Sequence, residues 1–243
     1  MIVLFTDFGW QGPYVGQMKA VLQRRAPGVA VLDLMHDAPR FNPRAAAWLL
    51  AALAWDFPAE TIFVAVVDPG VGSASRRPAM LHADGRRFVG PDNGLFDVVR
   101  QRAMQHDTRI IDWRPESLSA SFHGRDLFAP VAAMLATGTK PACSVSPVPA
   151  NLPAWSEQLA EVIYLDHFGN AMLGVWGEHC DETMSLQIGE ERLPYRRTFA
   201  EAEPDCPFWY TNSSGLVEIA LNQGSAEARL QLALGSSVQR LPC

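Results

Sequence analysis

The chain opens on an apolar run, MIVLF, that Asp7 cuts off, and β-branched apolar runs recur over residues 29–34 and 61–67. Each is shorter than an ordinary helix and reads as a strand buried on both faces. Between these runs the apolar positions change to helical spacing. The pattern predicts a helix over residues 14–25, ended by Pro27 and Gly28, and another over 43–56, where Asn42 supplies an N-cap and Pro43 suits the first turn. A two-strand signal around 80–89, a helix over 93–104, a strand over 108–112 and a helix over 126–136 continue the series. Strands alternating with helices predict an α/β fold whose sheet is largely parallel and flanked by helices, here an N-terminal domain over residues 1–140.

The pattern then breaks. Residues 141–158 are rich in proline, show little periodicity and read as a linker. Beyond them, EVIYLDHFGNAML, MSLQIGEERLPY, FWYTNSSGLVEIAL and ARLQLALG are short runs separated by turn signals, which predicts a small antiparallel β domain over residues 159–243. No internal repeat or low-complexity tract interrupts either half.

Composition narrows the possible functions. With 243 residues, 48% of them hydrophobic, the chain can bury a sizeable core. Its formal charge of −6 and scattered basic pairs, such as Arg24 with Arg25 and Arg196 with Arg197, argue against a nucleic-acid surface. Cys143, Cys180, Cys206 and Cys243 never fall in CxxC spacing, so they read as reduced thiols of a cytoplasmic protein and not as a zinc or redox motif. The N-terminal run lacks the basic flank of a signal peptide, and no apolar stretch approaches the length of a membrane span.

Candidate chemistry gathers where strands end. Asp7 in LFTDFG follows the first strand, Asp68 in VVDPGVGS follows the third, and Asp92 in VGPDNGLF precedes a helix. The crevice at the carboxyl ends of parallel strands is where such folds bind ligands, and Asp7 and Asp68 can both face it. Turn chemistry is the ordinary alternative for each acid. GVGS lacks the Lys-Ser or Lys-Thr ending of a phosphate loop, and no GxGxxG opens a helix. In SFHGRDLFAP, Asp126 suits a helix cap. His123 is either a loop histidine bonded to that turn or, with neighbouring Arg and Asp side chains, part of a group that holds and polarises water.

Taken in order, LFTDFG, YVGQMKA, VVDPGVGS with its Arg-Arg-Pro, VGPDNGLF, FHGRDLFAP, DHFGN and NSSGLVEIALNQG resemble the S-adenosyl-L-methionine hydroxide adenosyltransferases, the hydrolase branch of the fluorinase and chlorinase superfamily. The resemblance covers about residues 3–232. It implies an N-terminal α/β domain, a C-terminal small antiparallel β-barrel, and a homotrimer with sites between one subunit's N-terminal and its neighbour's C-terminal domain. The implied reaction cleaves S-adenosylmethionine with water to adenosine and methionine, using no metal and no cofactor. By motif position Asp68, Arg76 and His123 hold the water. GVGSASRRP is one residue longer than the commoner spacing, so Arg76 and Arg77 are both eligible. Asp7 would bind the ribose hydroxyls, Asp166 and Asn170 would grip the amino-acid end, and Ser213 would add a second contact there. Phe41 either lies near the substrate or staples the following helix. The stretch after Asn170 lacks the family's usual Thr-Asn.

The same resemblance supplies a rival reading, a halogenase. Those enzymes place an aromatic residue where Asp68 stands and a small hydroxyl residue where Gly124 stands, and an anionic Asp68 would repel a halide. A non-catalytic binder of S-adenosylmethionine or adenosine, and a metal-dependent hydrolase built on Asp7, Asp68 and His123, are the rivals from other classes.

Overall fold

The apolar runs fold as strands β1 (Ile2–Thr6), β2 (Val31–Met35) and β3 (Ile62–Val66), with helices α1 (Tyr14–Arg25) and α2 (Pro43–Ala54) between them. A hairpin of β4 (Pro78–Ala83) and β5 (Arg86–Pro91) follows, then α3 (Asp97–Arg102), β6 (His106–Ile111), α4 (Ala129–Ala136) and β7 (Cys143–Val145). This computed structural model describes residues 1–145 and 158–241. The chain divides into two units, Met1–Ala154 and Trp155–Cys243.

The first unit holds one seven-stranded sheet in the order β2-β1-β3-β5-β4-β6-β7. β1 pairs in parallel with β2 and β3, and β3 in parallel with β5. β4 is antiparallel to both β5 and β6, so β6 points the same way as the parallel strands and the sheet is largely parallel. Asp84 and Gly85 turn the hairpin with φ of 43° and 83°, the left-handed pair that a two-residue connection between twisted strands favours. Ile2, Leu4, Val64 and Val66 pack against Met18, Leu22 and Phe128 of the helical layer. Val3 and Phe5 point to the opposite face and are equally inaccessible, so both faces are covered.

Local chemistry explains where the elements differ from expectation. Asn42 caps α2 by accepting the Ala45 N–H at 3.1 Å, as the sequence predicts. α3 starts four residues later than its apolar pattern because Asn93 is used elsewhere: its amide donates to the Val67 carbonyl at 2.8 Å and its oxygen accepts the Leu95 N–H at 3.2 Å. Asp126 is not a helix cap. It lies inside a π-helical turn, Gly124–Phe128, that leads into α4, and its carboxylate pairs with Arg125 at 2.6 Å and accepts the Ser119 N–H at 3.0 Å. The expected linker begins as structure, since Cys143–Val145 pairs with β6 as an edge strand. Residues 146–157 of that stretch lie outside the described residues.

The second unit contains β8 (Leu159–Leu165), β9 (Ala171–Trp176), β10 (Ser185–Ile188), β11 (Glu191–Leu193), β12 (Phe208–Thr211), β13 (Leu216–Ala220), helix α5 (Ala226–Leu230) and β14 (Gln239–Leu241). They form two separate antiparallel sheets, β12-β13-β9-β8 and β11-β10-β14. Isolated bridges, Glu161 to Ser237 and Tyr195 to Trp209, join the sheets, and the described ladders do not run on into a closed barrel. Leu173, Trp209 and Ile219 of the larger sheet share a core with Leu186 and Leu193 of the smaller. Among the described residues no helix is long and apolar enough to cross a membrane.

Candidate active site

Because β1 and β3 are parallel neighbours paired through Thr6 and Val66, the residues just beyond them leave the sheet at the same end. Asp7 and Asp68 therefore meet in one cavity of about 310 Å³, which Tyr14, Phe41, His123 and Gly124 also line. It lies at the carboxyl ends of β1 and β3, where parallel sheets commonly bind ligands.

Asp68 is the most constrained of these groups. Its side chain is 2% exposed, and Oδ1 accepts from Arg76 Nε at 2.8 Å and from the Gly70 N–H at 3.1 Å. Oδ2 is buried and has no hydrogen-bond partner among the described residues. The Arg76 guanidinium lies against Gly70, so a Cβ there would push the guanidinium out of this position. Arg77 turns away and pairs with Asp92 at 2.7 Å. The structure thus gives Arg76, and not Arg77, to Asp68. Asp92 itself serves that outer pair.

His123 lines the cavity at the entry to the π-helical turn, and its ring makes no hydrogen bond among the described residues. Its charge acts on Asp126 of that turn. Gly124 beside it is tightly enclosed, for an added Cβ would lie 3.2–3.3 Å from Met18, Phe122 and Phe8.

Asp7 accepts the Phe41 N–H at 3.2 Å through Oδ2. Burial pushes the Asp7 carboxyl above its ordinary value and the neighbouring Asp68 adds to this, while backbone hydrogen bonds, first that from Phe41, act against it. Phe41 holds a left-handed φ of 58° and is 75% exposed, so it does not staple α2. A phenylalanine in that region is a strained backbone position of the kind that collects at binding sites.

The residues expected at the amino-acid end lie in the second unit. Asp166 Oδ1 accepts the N–H groups of Phe168 and Asn170, each at 2.8 Å, and its Oδ2 accepts the Asn170 side-chain amide at 2.9 Å. The two residues are therefore bonded to each other within one turn, where Gly169 has φ of 81°. Asn170 also lines a second cavity of about 490 Å³ with the exposed Phe168 and with Phe199. Ser213 is exposed on the turn after β12, which Asn212 organises by accepting from the Ser214 and Leu216 N–H groups at 3.0 and 3.1 Å.

Comparison with known proteins assigns both units. Residues 2–144 match the SAM hydroxide adenosyltransferase N-terminal domain, and residues 160–239 match the C-terminal domain of the same family. The chain belongs to the SAM hydroxide adenosyltransferase family. It is 40% identical to an (R)-S-adenosyl-L-methionine hydrolase of Thermus thermophilus, with 99% of each chain covered, and 36% identical to one of Salinispora arenicola, covering 96% of this chain and 95% of that one. A crystal structure of an uncharacterized conserved protein from Thermotoga maritima superposes with a TM-score of 0.84 at 30% identity, over 100% of both chains.

This SAM hydroxide adenosyltransferase family member also contains two polar networks that motif reading missed. Beneath Asp7, Thr6 Oγ1 lies 2.8 Å from His36 Nδ1, His36 Nε2 lies 3.1 Å from Asp33, and Lys19 closes the row on Asp33 at 2.8 Å. Thr6 and His36 are fully buried. Their positions are scattered over the sequence, and only the topology of β1 and β2 unites them. In the second unit Glu218, 3% exposed, accepts from the Tyr210 hydroxyl at 2.6 Å and the Asn212 amide at 2.7 Å. An acid inside the apolar run GLVEIAL was the available signal for it.

Proposed function

We propose that the protein hydrolyses S-adenosylmethionine to adenosine and methionine by in-line attack of water on the ribose 5′-carbon. The reading rests on one observation: a buried carboxylate oxygen of Asp68 that has no hydrogen-bond donor among the described residues, braced by Arg76, in a cavity that His123 and Asp7 share. The relatives named as (R)-S-adenosyl-L-methionine hydrolases support it.

The chemistry asks little of the protein beyond placement. The leaving group is a sulfonium, so when the carbon–sulfur bond breaks its electron pair stays on sulfur and neutral methionine departs without being protonated. What remains is to hold an oxygen nucleophile behind that bond, and such positioning contributes on the order of 7–11 kcal/mol. Asp68 Oδ2 accepts one O–H of the water, Arg76 holds the carboxylate in place, and the proton lost on attack passes to Asp68 and His123 jointly. Asp7 accepts from the ribose hydroxyls and Phe41 offers its ring to the nucleoside. Asp166, Asn170 and Ser213 take the amino-acid end. No metal or cofactor enters the scheme.

The nucleoside residues belong to the first unit and the amino-acid residues to the second. A homotrimer that sets one subunit's N-terminal unit against its neighbour's C-terminal unit, here read as a small barrel closed through the Glu161–Ser237 and Tyr195–Trp209 bridges, would unite them. The exposed aromatic rim of Trp10, Tyr14 and Phe41 at 62, 49 and 75% accessibility suits such a contact. A cytoplasmic location fits the free thiols of Cys143, Cys180 and Cys206.

The test is incubation with S-adenosylmethionine in oxygen-18 water, with and without chloride and chelator, followed by mass spectrometry of the nucleosides. The expected product is adenosine carrying the label at its 5′-oxygen, in equal yield under all conditions. A chlorinated nucleoside, or binding without product, would overturn the proposal.

A further inference from the structure

Glu218 is a buried carboxylate with no cation beside it among the described residues. It projects from β13, whose residues are all buried, and its two hydrogen bonds come from neutral donors, the phenol of Tyr210 and the amide of Asn212. Among the described residues no lysine, arginine or histidine pairs with it, and the charge that acts on it is another acid, Asp166. An isolated ionised carboxylate is expensive to bury, and a second one nearby makes it more so. Such an arrangement is stable either with a proton or with a cation that arrives from outside.

The surroundings indicate which cation. Asn212 donates to Glu218 with its amide and uses its oxygen to hold the turn that carries Ser213. Tyr210, the other donor, packs against Phe199 with ring centroids 5.4 Å apart, and Phe199 lines the cavity that Asn170 enters. Asp166, the neighbouring acid, builds the turn of Asn170. Glu218 thus joins both turns assigned to the amino-acid end. Asp166 already receives three N–H groups within its own turn, which leaves it a weak counter-charge by itself.

We propose that Glu218 is a positioning residue for the substrate's amino-acid end, fixing the Ser213 turn through Asn212 and, jointly with Asp166, supplying the negative charge that draws in the α-ammonium. The inference rests on the reading that the second unit receives this part of S-adenosylmethionine. In the unliganded protein burial raises the Glu218 carboxyl above its ordinary value, the bonds from Tyr210 and Asn212 oppose this, and Asp166 raises it further. An arriving ammonium favours the anion, so binding releases a proton from Glu218 wherever it was protonated. Affinity for the ammonium is then constant above the raised value and falls as pH drops through it, by about tenfold per unit.

The experiment compares the full-length protein with Glu218→Gln in steady-state kinetics between pH 5 and 8, kept below about pH 8, where an α-amino group titrates. The expected result is a KM for S-adenosylmethionine raised about tenfold or more at neutral pH, as for loss of a charge-assisted contact, with kcat within about threefold. The acid rise in KM seen in the wild type should be flattened in the variant. Because Asp7 titrates in both proteins, the ratio of the two KM profiles isolates Glu218. Equal KM values, or the same acid rise in both, would overturn the proposal. Circular dichroism checks the fold, and if Glu218→Gln does not fold, Tyr210→Phe carries the test: removing a donor to the anion must move the acid rise to higher pH, and an unmoved profile refutes the role. A wild type without turnover would sink the functional reading alone. Calorimetric binding of L-methionine across the same pH range then decides the inference, with no binding or pH-independent binding counting against it.

Discussion

At the scale of single residues, the site is defined by how Asp68 divides its two oxygens. One is fully engaged by Arg76 and the Gly70 N–H, and the other is buried without a donor. Leaving a buried acceptor unpaired costs about 1–3 kcal/mol, a cost that a water bound by the carboxylate removes. Asp68→Asn keeps the shape while replacing that acceptor and its charge. Turnover should fall by about 10²–10⁴ with affinity for S-adenosylmethionine within about threefold, measured by rapid-quench kinetics beside calorimetry. Wild-type turnover in the variant would remove Asp68 from the mechanism. The adjacent arginines separate the same way. Arg76→Ala should reduce kcat by about 10² or more, because it releases the Asp68 carboxylate from its fixed position. Arg77 ends a partly exposed pair with Asp92, with side chains 39 and 16% accessible, so Arg77→Ala should leave kcat within about threefold and shift stability by no more than about 1 kcal/mol.

At the scale of elements, what the sequence shows and what it conceals follow from whether a signal is local. Continuous apolar runs and local caps are legible: β1, β2, β3 and α2 lie where those runs, helical spacing and Asn42 put them. α3 is displaced because the Asn93 side chain bonds to Val67, 26 residues earlier, a partner that no local pattern contains. The spacing of Arg76 and Arg77 is likewise ambiguous by counting, and which of them pairs with Asp68 is visible only in the folded turn over residues 68–76. The π-helical turn was the least legible feature and positions His123 most directly. A Cβ added at Gly124 would lie 3.2–3.3 Å from Met18, Phe122 and Phe8, so a larger residue here requires those side chains to give way. Gly124→Ser should overpack this turn by about 1–3 kcal/mol. Thermal denaturation should show a lower Tm, and product analysis in chloride should still give adenosine without a chlorinated nucleoside. An unchanged Tm would mean the turn has room that the contacts deny.

At the scale of the whole molecule, the proposed division of chemistry between two units can be tested through assembly. Asp7, Asp68 and His123 line a cavity in the first unit, while Asp166, Asn170 and Glu218 are held by turns and strands of the second. If the working site takes its halves from neighbouring subunits of a homotrimer, two variants dead for different reasons can repair each other. Asp68→Asn removes the function of the first unit, and Asn170→Ala removes a side chain that both builds the Asp166 turn and lines the second cavity. Mixed at equal amounts by denaturation and reassembly or by co-expression, the two chains would form trimers in which about a quarter of sites draw both intact halves, one from each partner. Activity should therefore rise from the background of either variant to about a quarter of the wild-type value per site, with a trimer mass by light scattering. A site completed within one subunit gives a different result, because every chain then carries one damaged half and mixing restores nothing. Activity that stays at background in verified mixed oligomers would confine the site to a single chain. It would also leave the exposed aromatic rim of Trp10, Tyr14 and Phe41 to serve the nucleoside alone.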